Sequence, residues 1–243
     1  MIEIKNLTKR YGSFCAVDDI TFHVDKGEIF GFLGVNGAGK TTTLRMLAGV
    51  LRPTSGSLAI GGYDVASSPQ QAKQITGFIP DRPHLYNKLT AAEFLRFISE
   101  LYTVPKNEIE PRIETLLSEY KLTEWKNELV ESFSHGMKQR LAWCAALVHH
   151  PKVLVVDEPM VGLDPHGAKM LKESLRRYAR EGMTILLSTH SLNVAEEVSD
   201  RLAIINKGKI IALGTLHEIR AIAGGKDQDL EQIFLELTTT LMQ

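Results

Sequence analysis

Only two cysteines, Cys15 and Cys144, occur in the 243 residues, and they stand far apart. That excludes a disulfide framework and any cysteine-based metal-ligand spacing, and it suits a reducing compartment. Two packed thiols are the expectation. An excess of charge of one sign is missing as well: 28 basic residues against 29 acidic ones leave a formal net charge of −1. Nucleic-acid surfaces carry a basic excess, so nucleic acid is disfavoured as a partner. No apolar run approaches the roughly 20 residues that span a bilayer. Met1 to Leu7 starts as a strand pattern rather than as a secretory leader. The expectation is a chain soluble by itself in the cytoplasm; work at a membrane would need another chain to supply the spanning segments. Internal repeats and low-complexity tracts are absent too.

The composition present is 44% hydrophobic and 23% charged, which supports a folded core. The length fits one large α/β domain, or one domain with a subdomain. Ile2–Leu7 and Thr21–Val24 alternate as half-buried strands do, with a turn at Lys9–Gly12 between them. Further strands are expected at Glu28–Leu33, Ser57–Ile60, Ile75–Ile79, Val153–Val156, Thr184–Leu187 and Leu202–Ile205. Helices fit at Thr42–Ala48, Pro165–Glu181 and Ser191–Val198, and strand–helix alternation implies a mostly parallel sheet. About residues 85–150 change character. Thr90-Ala91-Ala92-Glu93 is a capping box followed by helical apolar spacing, so this stretch is expected to be a mostly helical insertion. In the tail from about 216 to 243, Leu230, Ile233, Phe234, Leu237 and Leu241 form one helical stripe, expected to pack on its own domain.

The chemistry centres on Gly34-Val35-Asn36-Gly37-Ala38-Gly39-Lys40-Thr41, placed between an apolar strand and a helix. Glycines let the backbone curl with its N–H groups inward, and the following helix N-terminus attracts phosphate oxygens. Lys40 is positioned to reach the β- and γ-phosphates and the Thr41 hydroxyl to bind Mg²⁺. A structural turn explains the glycines but not Lys40-Thr41, and a dinucleotide-binding turn needs another glycine spacing. The loop therefore indicates a nucleoside triphosphate.

Three other stretches carry chemistry. Asp157 and Glu158 end the buried strand at the sheet edge where ligands bind; Asp157 is placed to hold Mg²⁺ and Glu158 to polarise an attacking water. His190, after the strand that starts at Thr184, is placed to donate to a γ-phosphate. Ser134-His135-Gly136-Met137-Lys138-Gln139 opens a helix whose serine hydroxyl and free N–H groups offer a second anion site, with ordinary helix capping the better reading of the stretch alone, while Asp164 is placed to cap the helix at Pro165.

In this order the motifs resemble the nucleotide-binding subunit of ATP-binding cassette (ABC) transporters, over essentially the whole chain as a single domain, 1–243. Gly34–Thr41 matches Walker A, Val153–Glu158 Walker B, Ser134–Lys138 the signature, Gly162–Asp164 the D-loop and His190 the switch histidine. The resemblance implies a P-loop NTPase (RecA-like) core, an antiparallel β subdomain and a helical signature subdomain. It assigns Tyr11, Val17, Asn36, Gly37, Ala38, Gly39, Lys40, Thr41 and Thr42 to ATP, with Tyr11 stacking on adenine, and Ser134, Gly136 and Asp164 to the shared nucleotide site. Catalysis falls to Glu158, His190 and Lys40, and Mg²⁺ to Thr41, Asp81 and Asp157. It also implies a head-to-tail dimer, homomeric or heteromeric, with two ATP molecules between the subunits, bound to an integral-membrane permease on the inner face of the cell membrane. Gly31–Gly34, Asn36–Thr43 and Asp229–Leu237 look like the ABC-2-type exporter group.

Three positions depart from the family pattern. The signature reads Phe133-Ser134-His135-Gly136-Met137, keeping Ser134 and Gly136. Asp81 stands where glutamine is typical, able either to reach Mg²⁺ or to pair with Arg82. Val35 replaces a common proline. The alternative class, a soluble ABC ATPase acting on nucleic acid or ribosomes, usually has a long coiled coil, zinc modules or tandem cassettes, none of which is present. A nucleotide-binding regulator without turnover is disfavoured by Glu158.

Overall fold

This computed structural model describes residues 1–160, 163–222 and 232–234. The chain begins with an antiparallel pair, β1 (Ile2–Tyr11) and β2 (Phe14–Val24). Pairing holds to the Tyr11↔Phe14 rung, so Lys9–Tyr11 is strand and the turn is Gly12-Ser13 alone. The expected turn at Lys9 came from reading β2 as starting only at Thr21. Register shifts between Ile4 and Arg10, with Asp19 at φ 53, break the period-two pattern there. β4 (Ser55–Ile60) and β5 (Tyr63–Asp64) complete a four-stranded sheet of order β2-β1-β4-β5.

The second sheet holds the chemistry. β3 (Ile29–Leu33), β6 (Thr76–Ile79), β7 (Val153–Asp157), β8 (Thr184–Thr189), β9 (Arg201–Asn206) and β10 (Lys209–Gly214) lie in the order β10-β9-β3-β8-β7-β6. All neighbours are parallel except β9 and β10. Every residue of β3, β7 and β8 is buried, as continuous apolar runs demand when both faces are covered. On one face Phe22 of β2 stacks on Phe30 and Phe32, with centroids 5.0 and 5.6 Å away, joining the two sheets around a shared core. α1 (Lys40–Leu47) packs into that core through Leu44, Met46 and Leu47.

Between β6 and β7 the chain forms α3 (Ala91–Leu101), α4 (Lys106–Glu119), two short 3-10 turns and α5 (His135–Leu147). The Thr90 hydroxyl accepts from the Glu93 amide while the Glu93 carboxylate accepts from Thr90 N–H, the reciprocal cap that starts α3. α6 (Pro165–Arg180), α7 (Leu192–Val198) and α8 (Leu216–Ile222) follow, and α2 (Pro69–Gln74) precedes β6. Cys144 is fully buried, and burial pushes its thiol pKa well up, so it stays protonated; Cys15 donates to the Val17 carbonyl at 3.3 Å. In the tail, Ile233 is buried beside Leu33, Leu202 and Ile204, with Phe234 packed against the same cluster. Leu230, Leu237 and Leu241 of the expected stripe, and Gly162 of the D-loop match, lie outside the described residues.

Candidate nucleotide site

Strand order assembles the site. β8 lies between β3 and β7, with Leu33 opposite Thr189 and Asp157 opposite Ser188. The three segments leaving the C-terminal ends of these strands are therefore neighbours, although they are distant in sequence. They carry the glycine loop, Glu158 and His190. Together they wall a cleft of about 470 Å³, with Asn36, Gly37, Gly39, Lys40, Thr41 and Thr42 on the loop side and Asp81 after β6. The β1–β2 hairpin adds Tyr11, Phe14 and Ala16, and Tyr11 is 48% exposed.

Gly39 enters α1 at φ 112, and a Cβ there would lie 2.5 Å from the Ala16 carbonyl oxygen, so only glycine fits. The first-turn amides of α1 have no acceptor inside the helix, which leaves donors at the loop for an anion. Lys40 is buried, its ammonium donating to the carbonyls of Gly34 at 2.7 Å and Val35 at 3.3 Å. The same ammonium stands 3.4 Å from Glu158 Oε1. Glu158 Oε2 lies 2.9 Å from His190 Nδ1 and accepts from the His190 amide at 3.3 Å. Glu158 is held at φ 51, a left-handed conformation unfavourable for a side-chain-bearing residue and often found at functional sites. Its amide donates to both the carbonyl and the hydroxyl of Ser188, each at 3.2 Å, and that hydroxyl donates in turn to Asp157 Oδ1. Ser188 thus holds the Asp157 carboxylate and the Glu158 backbone. It was not singled out in the sequence, where a serine inside an apolar strand gives no signal beyond its polarity.

The oxygen donors fit a hard cation. Thr41 and Asp81 line the cleft, and Asp157 is buried beside it. Asp81 meets Arg82 only at 4.0 Å, and Arg82 is 91% exposed, so this pair does not withdraw Asp81 from the cleft. No cluster of three His, Cys, Asp or Glu forms a metal cage among the described residues. Mg²⁺ needs none, because phosphate oxygens and water complete its octahedron.

Val17, Ala38, Ser134, Gly136 and Asp164 do not line this cleft. Val17 and Ala38 are buried, and Ala38 donates its amide to Val35 at 3.2 Å. Phe14 and Ala16 stand at the wall instead, a consequence of β2 beginning at Phe14. Ser134 caps α5 by accepting from Met137 N–H at 3.3 Å, and Asp164 caps α6 by accepting from Gly167 N–H at 2.8 Å. Gly136 and Asp164 line a separate cavity of about 290 Å³ rather than the phosphate cleft. Gln139, buried in α5, donates to the Pro159 carbonyl at 3.4 Å and ties that helix to the segment after Glu158.

A glycine loop at the head of a helix, an acid pair at the end of the next strand but one and a histidine on the strand between them define a P-loop ATPase. Comparison with known proteins gives the family: the ABC transporter sequence profile matches residues 17–161. Linearmycin resistance ATP-binding protein LnrL of Bacillus subtilis (strain 168) is 38% identical over 225 residues, covering 93% of this chain and 72% of LnrL. A solved ATP-binding subunit of an ABC transporter superposes with TM-score 0.93 at 36% identity, covering 98% of this chain and 99% of the other. The dimeric structure of MJ0796, a bacterial ABC transporter cassette, matches with TM-score 0.82 at 25% identity, covering 89% of this chain and 99% of that cassette. The chain belongs to the ABC transporter family. It is the ATP-binding, ATP-hydrolysing subunit of a transporter, and no described helix is long and apolar enough to cross a membrane.

Proposed function

We propose that this subunit powers an exporter by closing with a second cassette around two ATP molecules. The supporting observation is the division of the site. Lys40, Thr41, Glu158 and His190 share one cleft, whereas Gly136 and Asp164 line another cavity of the same chain. Ser134 and Gly136 at the start of α5 therefore serve the nucleotide of a second cassette, whether that is another copy or a different chain. The dimeric form of the MJ0796 cassette fits this reading. ATP touches both halves through its γ-phosphate and ADP does not, so only ATP has the differential contact that shifts the equilibrium toward closure.

Within one cleft, Lys40 neutralises the terminal phosphates and the loop amides cradle them. Thr41, Asp81 and Asp157 would hold Mg²⁺, which would neutralise charge developing between the β- and γ-phosphates. Glu158 orients and polarises the water, and His190 donates to the γ-phosphate. Tyr11, exposed at the hairpin tip, offers its ring to adenine.

Export rather than import rests on the likeness to the ABC-2-type group and on LnrL being a resistance protein by name. The helical stretch of about 85–150 is the docking side for an integral-membrane permease. Phe94, Ile98 and Tyr102 line a groove of about 360 Å³ there, and Tyr86 and Leu101 are 57% and 61% exposed nearby. The subunit would thus be peripheral on the inner face of the membrane.

Glu158→Gln tests the mechanism. Hydrolysis should fall about 10²–10⁴-fold, the range for losing a positioned base. ATP, but not ADP, should convert the variant from monomer to a persistent dimer in size-exclusion chromatography. A variant that hydrolyses like wild type, or stays monomeric in ATP with its permease present, would overturn the proposal.

A further inference from the structure

A cavity of about 950 Å³ lies at the opposite edge of the parallel sheet from the nucleotide cleft. Lys26 enters from the turn before β3, Lys152 from the residue before β7, and Met183 from the residue before β8. These are the N-terminal ends of the strands whose C-terminal ends carry the phosphate loop, Glu158 and His190. β7 is five residues long, so the two sites stand about 17 Å apart along it. α4 supplies the other wall through Pro111, Arg112, Thr115 and Glu119.

The charge lining this cavity is unevenly satisfied. Its acids are already engaged: Glu119 by Arg177 and, at 2.6 Å, by the Tyr178 hydroxyl; Glu3 by Lys5 at 2.8 Å; and Glu181 by Arg177 at 4.0 Å. Arg112 is paired with Glu108. Lys26 and Lys152 are exposed, and neither has an acidic partner among the described residues. Tyr63, Ile75, Pro111 and Met183 add apolar and aromatic surface. A drug-sized recess with apolar walls and a few converging polar groups is the usual form of a small-molecule site.

We propose that this cavity is a second ligand site, separate from the nucleotide cleft, that binds an organic anion with a flat apolar body through Lys26 and Lys152. The anion meets two cations that have no acidic partner among the described residues, while its body covers Tyr63, Ile75 and Met183. His150, on the same wall, has its pKa lowered by burial and then by the charge of Arg112, which leaves it a neutral hydrogen-bonding group near pH 7. The inference does not depend on how cassettes pair or what they transport.

The probe is 8-anilinonaphthalene-1-sulfonate, one fixed negative charge on an aromatic frame, titrated into the full chain by fluorescence. Saturation at one site per chain, unchanged by saturating ADP, is expected. The double variant Lys26→Glu/Lys152→Glu should bind about tenfold more weakly, because attraction becomes repulsion. Thr115→Trp, at an exposed position on the α4 wall, adds bulk without charge and should also weaken binding, by filling the recess. ATP hydrolysis at the wild-type rate in both variants reports intact folding; if the double variant fails to fold, Thr115→Trp alone decides. Displacement by ADP, or undiminished binding in either folded variant, overturns the site.

Discussion

His149 shows what burial does to a single titratable group. Its ring stacks on Tyr102 with centroids 3.7 Å apart. Burial, reinforced by the neighbouring His150 and Arg112, lowers its pKa from 6.5 to about 4, and among the described residues neither ring nitrogen has a hydrogen-bond partner that would favour the charged form. The unfolded chain takes up this proton near pH 6.5 and the folded one only near 4, so folding is favoured fully above about 6.5 and loses stability as pH falls toward 4. The loss amounts to roughly 3 kcal/mol. In urea titrations across that window, His149→Phe, which keeps a ring against Tyr102, should show a shallower decline than wild type. Parallel declines would show that His149 is not the group responsible. At this scale Lys40 and Thr41 were visible in the sequence through the glycine spacing before them, and Asp157, Glu158 and His190 because they follow buried strand runs. Ser188 and Gln139 were not, since their roles arise only from contacts made across the fold.

Among the elements, α3 offers a direct test of what its cap contributes. Thr90→Ala removes the hydroxyl that accepts from Glu93 N–H and donates to the Glu93 carboxylate, leaving that carboxylate, whose pKa these bonds hold low, only the backbone N–H of residue 90. The expected cost is about 1 kcal/mol in chemical denaturation, with ATP hydrolysis unchanged because α3 contributes nothing to the cleft. The capping box and the buried strands β3, β7 and β8 were legible because each has a strong local code. β5 and α2 were missed; they are short and polar, and their pairing or packing is set by neighbours. β10 was missed too, although Lys207 and Gly208, at φ 47 and 82, form the two-residue turn that folds it back on β9. β2 was shortened in the reading because a bulged strand loses the alternation that identifies it.

For the whole molecule, the proposed docking side faces a permease, so membrane association should depend on that second protein. Expressed alone, the chain should remain in the supernatant after ultracentrifugation; expressed with its permease, it should sediment with the vesicles. Recovery on vesicles without a permease would remove the case for docking.

The contact between Lys40 and Glu158 has a consequence for how such a machine idles. On the proposed roles, the base that would activate water is held by the cation meant for the incoming phosphates, and by His190 on its other oxygen. An arriving triphosphate competes for Lys40 and, in taking it, unlocks the carboxylate. The fuel therefore arms its own destruction, and a cassette without ATP rests with its trigger on safety.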